Sequence, residues 1–116
     1  MITKGIRGAI TVEANTAEAI KAATLELINE MVRLNCISKR SISHVFFTLT
    51  EDLNAAFPAK FAREELKWTN AAMLCFHELN VPGSLKMCLR VLIVINCIEG
   101  FVPKFVYMKG AKNLRK

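Results

Sequence analysis

The chain has 116 residues, 53% of them hydrophobic and 22% charged, which fits one compact domain with one core and excludes an intrinsically disordered chain. Its formal net charge is +6 and its isoelectric point is near 9.4, so anionic partners are favoured in general. Part of that excess sits in the terminal KGAKNLRK, and the remaining cations are scattered, without the basic stripe interleaved with aromatics that single-strand binding needs. Residues 87–102 are the most apolar stretch, yet they are shorter than a bilayer span and carry Arg90 and Glu99. With no leader-like apolar run in MITKGIRGAITVE, the expectation is a soluble, cytoplasmic protein, whose charge leaves nucleic acid, a membrane surface or a small polyanion open as partners.

Residues 2–13 alternate loosely and read as a first strand, with Arg7 between Gly5 and Gly8, where backbone or ligand can come close. NTAEAIKAATLELINEMVRLNC, residues 15–36, is helical: Ile20, Ala23, Leu27, Met31 and Leu34 recur at helical spacing. Asn15 with Glu18 three positions on predicts a capping box at its start. SISHVFFTLT is a second strand with Val45, Phe47 and Leu49 on one face and His44, Phe46, Thr48 and Thr50 on the other. Pro58 opens a short helix over 58–66, AAMLC is a short third strand, and VPGS is a turn. A long strand over 86–97 and a last strand around KFVYMK complete the chain. The order predicts an α+β domain, a mixed sheet with two helices, spanning residues 1–116, with a flexible tail from about 110.

The long strand KMCLRVLIVIN holds an arginine among aliphatic residues. Alternation sends Leu89, Val91, Ile93 and Ile95 one way and Cys88, Arg90, Leu92 and Val94 the other, so Arg90 points into a partly apolar, enclosed space. Taken alone, the strand also allows an arginine that snorkels outward or pairs with a carboxylate. Arg7 and Tyr107 sit in other strands, and Lys60 and Arg63 share a helix face at i, i+3. So many cations on or beside apolar elements suit an enclosed small molecule with more than one negative group, such as a dicarboxylate.

Acid–base candidates are few. Glu78 follows the third strand in CFHEL, and Cys75 and His77 share a strand face without an obvious group to orient the imidazole. The four cysteines, Cys36, Cys75, Cys88 and Cys97, lack metal-ligand spacing and read as free thiols. There is no glycine-rich phosphate loop, nucleophile elbow or H-E-x-x-H.

Four segments in order, GIRGAITVEANT at 5–16, TEDLNAAFPAKFARE at 50–64, LCFHELNVPGSLKMCLRVLIVIN at 74–96 and VYMKGAKNLR at 106–115, resemble the monofunctional chorismate mutases of the Bacillus type almost end to end. The resemblance implies a homotrimer with a trimeric pseudo-α/β-barrel core and active sites between subunits. It implies an isomerase that rearranges chorismate to prephenate, on the path to phenylalanine and tyrosine, with no cofactor or metal and no nucleic-acid or membrane partner. Carried over position by position, Arg90 faces the ether oxygen of the breaking bond and a substrate carboxylate, Arg7 holds the enolpyruvyl carboxylate beside Tyr107, and Glu78 accepts from the ring hydroxyl. Phe57, Leu74 and Cys75 line the substrate, Lys60 and Arg63 stand at the entrance, and Leu114 and Arg115 match a covering tail. In that family pattern Arg7, Arg90 and Tyr107 come from one subunit and the wall from Phe57 to Glu78 from its neighbour. Leu74 stands where some relatives carry Thr, Ala72 where proline is frequent, and His77 where Gln is common.

The alternative readings are a trimeric enamine or imine hydrolase, which also needs an arginine for a carboxylate, and a basic nucleic-acid-binding module with an exposed Arg7–Lys60–Arg63 patch.

Overall fold

The computed structural model describes residues 1–114. Five strands and two helices form two layers. The elements are β1 (Ile2–Thr11), α1 (Ala17–Asn35), β2 (Ile42–Leu49), α2 (Pro58–Glu65), β3 (Ala72–His77), β4 (Cys88–Cys97) and β5 (Val106–Met108), with single 3₁₀ turns at Lys39–Ser41 and Lys109–Ala111. The sheet order is β3-β2-β4-β1-β5. β4 runs antiparallel to both of its neighbours, while β3 is parallel to β2 and β5 is parallel to β1. The expected mixed sheet with two helices is therefore present, and the third strand runs two residues further than AAMLC, to His77.

α1 starts one residue later than its capping box predicts. Thr16 is the cap, in extended backbone, and its hydroxyl accepts from Ala19 N–H at 3.1 Å. Asn15 is engaged elsewhere: its Oδ1 accepts from the backbone N–H groups of Asn54 and Ala55, and its Nδ2 donates to Asn54 Oδ1. Glu18 in the first turn and Arg33 in the last complement the helix dipole. Cys36 closes the helix in left-handed backbone at φ 50°.

Sheet alternation divides the molecule. Ile6, Ile10, Val45, Phe47, Leu49, Leu89, Val91 and Ile93 join Ile20, Leu27, Ile28 and Met31 of α1 in one buried cluster. Gly8 belongs to this side. A Cβ there would run into Met31 Sδ and would lie 3.1 Å from Leu27 Cδ1, so the glycine lets α1 sit close on β1. α2 adds Ala59, Phe61 and Ala62 to the same layer. Among the described residues, the other face of the sheet carries no α-helix. There the segment after β5 folds back: Ala111 is fully buried with Ala9 and Cys88, Gly110 N–H donates to Thr11 Oγ1 at 3.0 Å, and Tyr107, Leu85 and Leu114 pack around them. The part of the expected tail from 110 to 114 is thus seated on the open face, and Arg115 lies outside the described residues.

Candidate active site

Strand register builds the site. Thr48 and Ala9 flank Arg90 on either side of β4, Phe76 pairs with Thr48, and Tyr107 pairs with Ala9. One row across all five strands therefore reads Phe76, Thr48, Arg90, Ala9, Tyr107. The next row reads Leu74, Phe46, Leu92, Arg7. Because β4 is the central strand, its arginine stands at the middle of the open face. The small Ala9 beside it leaves space for the guanidinium and for whatever the guanidinium meets.

These rows floor a cleft of about 370 Å³, lined by Arg7, Phe46, Thr48, Phe76, Glu78, Arg90, Leu92, Tyr107 and Leu114, a size that suits a small molecule. Two basic residues, one carboxylate and one phenol converge there among apolar walls. Arg90 Nε lies 3.0 Å from Glu78 Oε2, and Thr48 Oγ1 donates to that same oxygen at 2.8 Å. The Arg90–Glu78 contact is an ion pair. Arg90 Nε and the Tyr107 hydroxyl are both shut off from solvent without a hydrogen-bond partner among the described residues. Buried donors of this kind are rare and costly unless an acceptor arrives.

The backbone around the pair is tied to the end of β2. Glu78 N–H donates to Leu49 C=O at 2.8 Å, and Thr50 N–H donates to Cys88 C=O at 3.1 Å. Burial pushes the Cys88 thiol up, against the pull of the neighbouring Arg90, while the Glu78 and Asp52 carboxylates push it the same way as burial.

The residues expected from the sequence divide into two groups. Arg7, Glu78, Arg90, Tyr107 and Leu114 meet in the one cleft. Glu78, expected in one wall with Phe57, contacts Arg90 of its own chain. Phe57 and Cys75 line a separate hollow with Leu53, Asn54 and His77, behind Phe76. Burial also raises the Cys75 thiol, and His77 Nε2 lies 3.2 Å from Leu53 C=O rather than on the cysteine. Phe57 is 72% exposed and Leu74 56% exposed. Lys60 and Arg63 are exposed on α2, in the helical layer, so they form no patch with Arg7. Sequence reading missed Thr48, Phe46, Phe76 and Leu92 as site residues. The alternation that placed Phe46 and Thr48 on one face was visible, but the register that sets them beside Arg90 was not.

Comparison with known proteins gives the same answer from a separate direction. The family "Chorismate mutase type I" matches residues 3–116. The chain is 47% identical to the chorismate mutase AroH of Thermus thermophilus over 116 residues, covering 98% of this chain and 94% of that protein. It is 37% identical to the chorismate mutase AroH of Bacillus subtilis over 95 residues, 82% of this chain and 75% of that one. Among solved structures, a chorismate mutase from Clostridium thermocellum superposes with a TM-score of 0.89 at 44% identity, covering 94% of this chain and 97% of that one. A small α+β domain with an arginine-centred cleft is the class defined by the fold. The chain belongs to the type I chorismate mutase family.

Proposed function

We propose that the cleft is the catalytic half of the site where this isomerase converts chorismate to prephenate, and that the other half comes from a neighbouring subunit of a homotrimer. The observation that carries the reading is the convergence of Arg7, Glu78, Arg90 and Tyr107 on one cleft, with the Tyr107 hydroxyl buried without a hydrogen-bond partner among the described residues and Arg90 Nε meeting Glu78 as an ion pair. The family match supports the reaction and leaves the hydrolase and nucleic-acid alternatives without support.

The rearrangement is intramolecular. The ether C–O bond breaks as a C–C bond forms between the enolpyruvyl methylene and the ring, electrons move around a six-membered cycle, and no proton is transferred. Negative charge grows on the ether oxygen in the transition state. Arg90, fixed at the centre of the sheet, donates to that oxygen and to a substrate carboxylate. A preorganised cation in a dry site stabilises the developing charge more than the ground state, an effect typically worth about 3–4 kcal/mol per donor. Arg7 and Tyr107 hold the enolpyruvyl carboxylate, and Glu78, fixed by Thr48, accepts from the ring hydroxyl. Together they keep the flexible substrate in its compact, reactive conformer. No resident cofactor or metal enters this scheme.

Support for the trimer comes from the open face. Phe76 is 46% exposed and Leu74 is 56% exposed in the single chain, an apolar surface of a kind usually covered by a partner. Phe57, Lys60, Arg63 and Cys75 do not line the chain's own cleft, and in this reading they complete a neighbour's. Leu114 already lines the cleft. No helix of the described residues is long and apolar enough to cross a membrane, and we place the enzyme in the cytoplasm. The test mixes purified protein with chorismate in metal-free buffer and follows loss of the diene absorbance, with prephenate confirmed as phenylpyruvate after acid treatment. Turnover by a species of trimer mass is expected. A trimer without turnover, or turnover by a monomer, would overturn the corresponding part of the reading.

A further inference from the structure

Arg90 and Glu78 belong to different segments, and both are tied to the chain that leaves β2. Glu78 N–H is held by Leu49 C=O, and the ties on the Arg90 side converge on Asp52. Its carboxylate accepts from Met87 N–H with both oxygens, at 3.2 Å (Oδ1) and 3.0 Å (Oδ2). Thr50 Oγ1 donates to Asp52 Oδ1 at 2.5 Å and accepts from Cys88 N–H at 3.0 Å. Met87 has φ 52°, in the left-handed region, where a bulky side chain is unfavourable and persists only when its surroundings impose it. Its carbonyl is held as well, accepting from Val12 N–H at 2.7 Å. Cys88 is the first residue of β4, and Arg90 is two residues further.

We propose that Asp52 is a positioning residue for the reaction: with Thr50 it clamps Met87 in left-handed backbone, which fixes where β4 begins and so aims Arg90 at the cleft. This rests on the reading of Arg90 given above. The physical logic is that an unfavourable backbone conformation relaxes when its restraints are removed. Released, residue 87 moves toward ordinary φ, and the start of β4 turns with it. Arg90 then shifts against Thr48 of β2 and against Glu78, whose N–H is held by Leu49 C=O at the end of β2. Misplacements of about 1 Å at a catalytic group are costly, on the order of a hundredfold in rate. Glycine adopts positive φ freely, so it removes the need for the clamp without touching the cleft.

The test compares Asp52→Ala, Met87→Gly, the double variant and Arg90→Ala, each confirmed as folded and assembled like wild type, with kcat and KM measured on chorismate. Asp52→Ala is expected to lose about tenfold to a hundredfold in kcat with KM within about twofold. Met87→Gly alone stays near wild type, and the double variant recovers most of the kcat lost by Asp52→Ala. A merely structural role would lower the unfolding midpoint and leave kcat of the folded enzyme unchanged, and that result overturns the proposal. So does a double variant no faster than Asp52→Ala. If Asp52→Ala does not fold, Asp52→Asn, which keeps one acceptor for Met87 N–H, replaces it under the same criteria. Near-normal turnover by Arg90→Ala refutes the reading of Arg90 itself, and the positioning role falls with it.

Discussion

The two faces of one sheet do opposite work. On the helical face, Ile6, Ile10, Val45, Phe47, Leu89 and Ile93 are buried to 0% exposure and join α1 in one apolar cluster. On the other face the same strands, one residue out of step, present Arg7, Thr48, Arg90 and Tyr107 between apolar side chains. Strand geometry makes the division inevitable, since neighbouring side chains must point to opposite faces. The lesson is that stability and chemistry are separable in this fold at the spacing of a single residue. Leu89 and Val91 belong to the core, and Arg90 between them belongs to the cleft.

The comparison breaks most sharply at Phe47, a fully buried core residue. Phe47→Ala is expected to cost about 3–5 kcal/mol of stability, read by denaturant unfolding, while kcat per folded site stays near wild type. Arg90→Ala should do the reverse. Turnover falls by about two to three decades, while the unfolding midpoint drops less than in Phe47→Ala, because Arg90 lies in the part-exposed cleft and its loss leaves only the part-exposed Glu78 carboxylate without its ion-pair partner. Arg90→Lys should recover little, since a point charge on a flexible stem cannot reproduce the guanidinium's fixed donors. If both variants lost stability and turnover together, the separation of faces would be wrong.

Smaller effects sharpen the same contrast. Phe76→Ser on the open face should shift the protein toward smaller species in sedimentation, with activity lost in proportion to assembly. In the helical layer, Thr16→Ala removes the cap of α1 and should cost about 1 kcal/mol without changing kcat, whereas Asn15→Ala should act through the 54–55 loop it holds.

Much of this was legible in the sequence. Periodicity located both helices and the five strands, because amphipathic patterning and turn residues are local signals. Alternation in KMCLRVLIVIN correctly turned Arg90 away from the Leu89–Ile93 face. What stayed hidden depends on pairing between distant segments. That Thr48 faces Arg90, that Ala9 stands between Arg90 and Tyr107, and that Asp52 reaches Met87 are facts of register and loop closure, and no local pattern encodes them. The cap was misplaced by one residue for a similar reason. Asn15 is as good a cap as Thr16 in isolation, but the loop at Asn54 and Ala55 competes for its side chain.

The smallest expected effect separates the faces through two thiols. Cys75 and Cys88 lie on opposite faces of the sheet, and burial raises both. A thiol held above its unfolded value, about 8.5, binds its proton more tightly when folded. Its contribution to stability is complete below the unfolded value and is lost as pH climbs through the folded one. Stability should therefore decline above about pH 8.5, and Cys88→Ala and Cys75→Ala should each make the decline shallower than in wild type. The two thiols differ in what opposes burial. At Cys88 it is the Arg90 guanidinium, whereas at Cys75 it is a hydrogen bond with the Ala59 backbone. Arg90→Ala should consequently push the Cys88 thiol further up and leave Cys75 where it is. Alkylation rates read by mass spectrometry between pH 7.5 and about 9.5 would show Cys88 slowing in that variant relative to Cys75. An equal slowing of both would mean that Arg90 is felt through the whole sheet, and that the two faces are less independent than their geometry implies.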